Sequence, residues 1–222
     1  AGLLRSQFPN ARLYVHPLGA RHIANPEKLL AGTAAVYGEE QTRTLYGTLL
    51  PVESARIVAV EHGQTLSLGG RELLMLHTPG HARHHICIRD GQTGHFFTGD
   101  TFGISYRELD HDGRNFICPT STPVHFDPDA LHRSIDLLMS YQPRAMYLTH
   151  YGKIQDIPRL AADLHRLIDQ LTDLARPLAR AGEQRHELLK KAIGQMLVTE
   201  ARREHWGTQD EDLLTLLAMD ID

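Results

Sequence analysis

The sequence TPGHARHH, at Thr78–His85, directly follows the apolar stretch ELLMLH (72–77) and gives the clearest indication of the fold. A short apolar run before a turn predicts a strand, and Pro79-Gly80 predicts the turn that ends it. His81 is therefore placed on a loop at the edge of a sheet. An imidazole in such a position is available to bind a metal ion.

Two further segments repeat the pattern of a strand and then a residue that can bind metal. Phe96-Phe97-Thr98-Gly99 leads into Asp100, and Met146-Tyr147-Leu148-Thr149 leads into His150. Each residue alone is typical of an ordinary turn, but three of them in this arrangement indicate a shared site on sheet-edge loops. Imidazole and carboxylate ligands together favour zinc, iron or manganese over calcium.

Short apolar runs separated by glycine-containing turns predict a strand-rich block in the first half of the chain. Strands are expected at 11–16, 56–60 (RIVAV), 65–68 (TLSL), 72–77, 85–88 (HICI), 95–98 (HFFT) and 145–149. We expect those from 56 to 98 to pair in one antiparallel sheet. Helices are expected at 2–8, once or twice within 17–47, and at 128–141, 157–176, 183–205 and 209–219. This order predicts an α/β (α+β) fold.

The second half of the chain is predicted to be mainly helical. Asp127-Pro128 is typical of a helix start, and the apolar residues from Ile157 onward form one helical stripe. This stripe is expected to pack on the sheet, or alternatively to form a homodimer interface. We divide the chain into a domain at 1–175 and a helical C-terminal extension at 176–222.

Taken together, the three segments resemble motifs of the metallo-β-lactamase superfamily, whose fold is a four-layer αββα sandwich with one or two metals at the sheet edges. Thr78–Cys87 is similar to its third motif, in the TPGHT-x-G-H version of glyoxalase II-like members, with His84 in place of glycine. Phe97–Asp100 resembles the fourth motif and Leu148–Gly152 the fifth. The resemblance implies that His81 and His150 bind different metals and that Asp100 bridges them.

The main signature of that superfamily, H-x-H-x-D-H, is absent from the sequence. The residues from Ala1-Gly2 to the predicted strand at 11–16 resemble the segment that family members carry immediately after this signature. We therefore expect an N-terminally truncated sandwich that begins just after it. Such a chain is expected to bind metal weakly, to expose apolar surface and to have little activity alone.

Four other residues near the motifs are secondary candidates. The resemblance implies a supporting role for His85, which occupies a common histidine position in the third motif. His84, Tyr106 and Tyr151 are candidates for contact with ligands or substrate because of their nearness in sequence.

The resemblance implies a hydrolase in which metal-bound hydroxide attacks a small ester or thioester, with two zinc ions in the complete domain and iron or manganese as possible replacements. One alternative is an enzyme similar to mononuclear iron persulfide dioxygenases, which use the same scaffold. Another is a non-catalytic fragment of the same fold that binds metal poorly.

Composition restricts the partners that are expected. The formal net charge of −4 argues against a nucleic-acid partner, and no apolar run is long enough to suggest a membrane span. Two cysteines do not form a disulfide framework, which favours a reducing cytoplasm. A small-molecule substrate is the expected partner.

Overall fold

The computed structural model describes residues 2–122, 125–206 and 209–221. The helices are α1 (Gly2–Gln7), α2 (Pro17–Ala24), α3 (Glu27–Tyr37), α4 (Glu39–Tyr46), α5 (Pro128–Ser140), α6 (Ile157–Leu178), α7 (Arg185–Glu204), α8 (Asp210–Leu216) and α9 (Ala218–Ile221). The strands are β1 (Leu13–Val15), β2 (Ile57–Ala59), β3 (Thr65–Leu68), β4 (Arg71–His77), β5 (Ile86–Asp90), β6 (Phe96–Gly99), β7 (Met146–Leu148) and β8 (Gly152–Ile154). The predicted α+β fold is confirmed.

The strands β3 to β8 form the main sheet, in which they lie side by side in chain order. The pairs from β3 to β6 are antiparallel, as the sequence predicts, and so is β7–β8. The pair β6–β7 is parallel, which requires the chain to cross back between them. This long connection includes α5.

The prediction for residues 56–60 was wrong in one respect. Ile57–Ala59 does form a strand, but it pairs in parallel with Leu13–Val15, apart from the main sheet. The helices α2, α3 and α4 connect these two strands, and a parallel pair needs a connection of this length. The sequence shows where the strand lies, but its partner depends on this tertiary crossover.

The helices α5 and α6 cover one face of the main sheet. Asp127 caps α5 by accepting a hydrogen bond from the backbone N–H of Ala130. The core between these helices and the sheet consists of buried apolar side chains, including Leu76, Cys87, Phe96, Leu131, Ile135, Leu138, Met146, Ile154, Leu160, Leu164 and Ile168. The apolar stripe of α6 is thus buried against the sheet from Ile157 to Ile168, as one of the two expectations has it. The homodimer stays a prediction.

The opposite face of the main sheet, here called the open face, carries Ile86, Ile88, Phe97 and Tyr147. It is exposed only towards β6, since Met75 of β4, which pairs with Ile88, is buried. Ile88 pairs with Phe97 and Phe97 with Tyr147, so these side chains form a continuous apolar row. The rings of Phe97 and Tyr147 stack with centroids 5.3 Å apart, and Phe97 is 48% exposed. Phe97 is thus exposed, whereas Ile86, Ile88 and Tyr147 are half-buried.

The C-terminal helices pack on the loop that comes after β6. Their second apolar cluster contains Ile104, Tyr106, Leu109, Phe116, Cys118, Leu197, Ala201, Leu213, Leu217 and Ile221. α6 continues to Leu178, past the proposed domain boundary at residue 175, and that boundary stays a prediction. Among the described residues, no helix is both long and apolar enough to span a membrane.

Candidate metal centre

The three predicted ligands, His81, Asp100 and His150, lie together at one edge of the main sheet. Nε2 of His81 is 3.7 Å from Oδ2 of Asp100, and Nε2 of His150 is 3.6 Å from Oδ1 of Asp100. The carboxylate therefore lies between two imidazoles, with one oxygen directed to each. The sheet brings together residues that are far apart along the chain.

The direction of the strands explains this convergence. β4 and β6 are both antiparallel to β5, so they run in the same direction, and β7 is parallel to β6. The C-terminal ends of these three strands consequently lie at the same edge of the main sheet. Each candidate ligand is on the loop that leaves one of these ends.

At this edge, two glycines allow the backbone to lie close to neighbouring residues. Gly99 has a φ of 51°, and a Cβ there would lie 2.4 Å from Nε2 of His85. Gly80 has a φ of 137°, and a Cβ there would lie 2.4 Å from Cα of Leu131 in α5. A side chain at either position would displace the loop that carries the adjacent ligand.

His85 supports the loop that carries Asp100, and both of its ring nitrogens are used in hydrogen bonds. The backbone N–H of Asp100 donates to Nε2 of His85 over 3.0 Å. Nδ1 of His85 must then carry the ring proton, which it donates to the hydroxyls of Thr78 and Thr101 at 2.9 and 2.8 Å. Burial lowers the pKa of His85 to about 4, consistent with a neutral ring.

Thr120 fixes the orientation of His81. Its hydroxyl donates to the backbone carbonyl of Asp100 over 3.0 Å, so its oxygen accepts from Nδ1 of His81 over 2.8 Å. The ring proton of His81 is then on Nδ1, and the lone pair of Nε2 faces the Asp100 carboxylate. Thr122 also donates to the backbone carbonyl of His81. Neither threonine is among the predicted site residues, since neither lies in a recognisable motif.

The electrostatics of this edge fit a cation. Burial lowers the pKa of His81, outweighing the Asp100 carboxylate and the Thr120 hydrogen bond, which both raise it. Oδ1 of Asp100 is buried and makes no hydrogen bond within the described part of the chain. Two ligands of one tetrahedral zinc ion lie about 3.4 Å apart at ordinary bond lengths, close to the observed separations. His81 with Asp100, and His150 with Asp100, would each hold one metal ion.

The secondary candidates occupy different positions. Tyr106 and Tyr151 contact each other with ring centroids 4.2 Å apart, and the ring of Tyr151 lies 6.1 Å from that of His150. Tyr151 is 47% exposed, whereas Tyr106 is buried beneath it. His84 instead lies near His22, with ring centroids 6.3 Å apart. Its pKa is lowered by burial and then by His22, His125 and His81.

A second group of acidic residues, Asp163, Glu200 and Glu204, has oxygens within 4.8 Å of one another. Its charge is offset by arginines. Arg166 forms ion pairs with Glu200 and Asp163, and Arg159 pairs with Asp163. We interpret this group as an ion-pair network that joins α6 to α7.

Two imidazoles that face one carboxylate at a sheet edge form a set of donor groups that fits a metal ion. The family profile of the metallo-beta-lactamase superfamily matches residues 1–150. The chain therefore belongs to the metallo-beta-lactamase superfamily.

Individual relatives agree with this assignment. A metallo-beta-lactamase fold-containing protein of Sulfurisphaera tokodaii, ST1585, is 27% identical over 128 residues, covering 58% of this chain and 42% of the relative. An atrochrysone carboxyl ACP thioesterase of Passalora fulva is 28% identical over 153 residues, covering 64% of this chain and 41% of the relative. An acyl-coenzyme A thioesterase of Gallus gallus, MBLAC2, is 40% identical over 50 residues, covering 22% and 17%. The chain spans less than half the length of these curated relatives.

The fold is also that of solved structures. The crystal structure of ST1585 matches with a TM-score of 0.61 and 23% identity, covering 76% of this chain and 61% of that one. A metallo-beta-lactamase family protein of Thermus thermophilus, TTHA1429, matches with a TM-score of 0.56 and 22% identity, covering 81% and 59%. At these identities the likeness concerns the fold alone.

Proposed function

We propose that this chain forms part of a metal-dependent hydrolase that cleaves a small ester or thioester. The observation that supports this most directly is the placement of the Asp100 carboxylate between Nε2 of His81 and Nε2 of His150. Two zinc ions are the proposed cofactor of the complete site, and iron or manganese could bind the same ligands.

The residues of this chain have separate tasks in the proposed mechanism. A bound metal supplies hydroxide as nucleophile and polarises the substrate carbonyl. His81, Asp100 and His150 would hold it, and Thr120 keeps His81 in the tautomer that presents Nε2. Tyr151, which is exposed beside His150, would contact the substrate.

A thioester is the substrate class that we favour. Two curated relatives carry the names of thioesterases, one for acyl-coenzyme A and one for an ACP-bound acyl group. The similarity of TPGHARHH to the glyoxalase II-like motif points to the same chemistry.

The test compares hydrolysis of an acyl-thioester by this chain and by the longest natural protein that contains it, each loaded with zinc. In the longer protein, Asp100→Asn is expected to lower the rate at least about a hundredfold, because the carboxylate shared by both imidazoles is lost. Asp173→Asn, on the exposed side of α6, is the matched control and is expected to leave the rate unchanged. The 222-residue chain alone is expected to show little activity.

Two results would contradict the proposal. One is hydrolysis that resists both a chelator and Asp100→Asn. The other is a purified longer protein that holds one iron and consumes oxygen with a persulfide substrate, which favours the dioxygenase alternative. A longer protein that binds no metal would instead indicate a non-catalytic member of the fold.

A further inference from the structure

Away from the candidate metal centre, α5 and α6 bring two other histidine rings together edge to edge. Nδ1 of His132 lies 2.6 Å from Nδ1 of His165. The ring planes differ by 6° and the centroids are 4.9 Å apart. A short contact between nitrogens at this centroid distance means that the rings are nearly coplanar and point their Nδ1 atoms at each other.

The other nitrogen of each ring faces a carboxylate on the neighbouring helix. Nε2 of His132 is 3.1 Å from Oδ1 of Asp169, and Nε2 of His165 is 3.2 Å from Oδ1 of Asp136. The two helices run in opposite directions, so the same H-x-x-x-D spacing on each produces a reciprocal arrangement. The result is a row of carboxylate, imidazole, imidazole and carboxylate.

The positions of the ring protons leave the two Nδ1 atoms without a hydrogen between them if both rings are neutral. A carboxylate accepts hydrogen bonds, so each Nε2 carries its ring proton and each neutral ring keeps a lone pair on Nδ1. Two lone pairs directed at each other over 2.6 Å repel unless a cation lies between them. The geometry is satisfied by one shared proton or by a metal ion.

We propose that His132 and His165 bind one transition-metal ion of the zinc class through their two Nδ1 atoms. Histidines that bind metal usually donate their other N–H to a carboxylate, which is the role that Asp136 and Asp169 would have here. Neutral imidazoles suit zinc, copper and nickel. The negative charge of the two carboxylates further favours a cation.

The site needs only a small adjustment to accept the ion. Two nitrogens bound to one tetrahedral zinc are about 3.3 Å apart, so the observed 2.6 Å must widen by less than one ångström. The side chains of His132 and His165 are 23% and 30% exposed, which leaves room for ring rotation and for water as the remaining ligands. The metal would then join α5 to α6.

Zinc titration of the 222-residue chain, by calorimetry, tests the proposal in an Asp100→Asn background that weakens the candidate metal centre. One equivalent of zinc is expected to bind. His132→Gln and His165→Gln are each expected to weaken this binding at least about tenfold, whereas His186→Gln, on the exposed side of α7, should leave it unchanged.

A second pair of variants keeps the test decisive if a glutamine variant does not fold. Asp136→Asn and Asp169→Asn retain both imidazoles and remove the carboxylate charge, and each is expected to weaken zinc binding about tenfold. Zinc should also shift the ring ¹⁵N resonances of His132 and His165. Unchanged affinity in the histidine variants, or ring resonances that do not move at saturating zinc, would show that the pair shares only a proton and would overturn the proposal.

Discussion

At the scale of single residues, His81 and His85 carry their ring proton on the same nitrogen but use the other nitrogen differently. His81 leaves Nε2 facing the Asp100 carboxylate, whereas His85 uses Nε2 to accept the backbone N–H of Asp100. The Thr120 hydroxyl fixes the tautomer of His81, whereas the backbone N–H of Asp100 fixes that of His85, whose Nδ1 then donates to Thr78 and Thr101. One histidine is therefore free to bind a metal and the other holds the loop.

Removal of the Thr120 hydroxyl tests how much the metal centre depends on this tautomer. Thr120→Val is expected to lower zinc affinity at the centre about 10- to 100-fold, because Nδ1 of His81 loses its acceptor. Thr120→Ser retains the hydroxyl and should restore most of the affinity. Thr199→Val, on an exposed side of α7, is the control. Equal affinities for the Val and Ser variants would show that Thr120 does not orient His81.

His85 is expected to make the stability of the fold depend on pH. The folded state takes up this proton only near pH 4, whereas the unfolded chain does so near pH 6.5. Between these values the unfolded state binds more protons, so the free energy of unfolding should fall by about 1.4 kcal/mol per pH unit as the pH decreases.

Urea unfolding at several pH values measures this contribution. His85→Gln, whose side-chain oxygen can still accept from Asp100, should show a smaller decrease in stability between pH 6.5 and pH 4 than the unaltered chain. His186→Gln should keep the full decrease. An identical pH dependence in the His85 variant would mean that this ring is not buried as a neutral group.

At the scale of elements, the local sequence predicts most strands and helices but not how they pair. The residues before His81, Asp100 and His150 indicate strands that end in turns, and the structure confirms each strand. The sequence did not reveal β8, because Gly152–Ile154 is too short to show alternation. Nor did it reveal that Ile57–Ala59 pairs in parallel with β1, since that pairing depends on three intervening helices.

The turn at the end of β6 affects both the stability of the fold and the position of Asp100. Gly99→Ala is expected to destabilise the fold by roughly 2–4 kcal/mol, because the strain of a positive φ adds to a clash with His85. Gly113→Ala is the matched control, since Gly113 has a φ of 75° and no atom within 4 Å of the added Cβ.

Chemical denaturation should therefore separate the two glycine variants. Gly113→Ala is expected to lose only about 1–2 kcal/mol, from backbone strain alone. Zinc binding at Asp100 should decline in the Gly99 variant and not in the Gly113 variant. Equal losses in both would indicate that the close approach of His85 has no energetic consequence.

At the scale of the whole molecule, helices cover one face of the main sheet, and the open face on the other side exposes Phe97. The expectation of exposed apolar surface came from the absence of the H-x-H-x-D-H signature, a family pattern rather than a property of any one residue. The sequence could not predict that Thr120, 39 residues from His81, completes the site, because that contact exists only after folding.

The open face is expected to bind hydrophobic dyes and to promote self-association. Phe97→Ser should reduce both anilinonaphthalene sulfonate fluorescence and the sedimentation coefficient at high concentration, with a stability loss below about 1 kcal/mol because the ring is half exposed. Leu188→Ser, at an exposed apolar residue of α7, should change neither. Dye binding that is insensitive to Phe97 would place the exposed apolar surface elsewhere.

The most direct measurement of the central claim is anomalous X-ray diffraction from crystals of this chain soaked in millimolar zinc. We expect an anomalous peak bonded to the Asp100 carboxylate and to Nε2 of His81 or His150, with a second peak on the other side of the carboxylate at higher zinc concentration. Zinc density at His132 and His165 but none at Asp100 would contradict a metal centre at the sheet edge, as would imidazoles that turn away from the carboxylate.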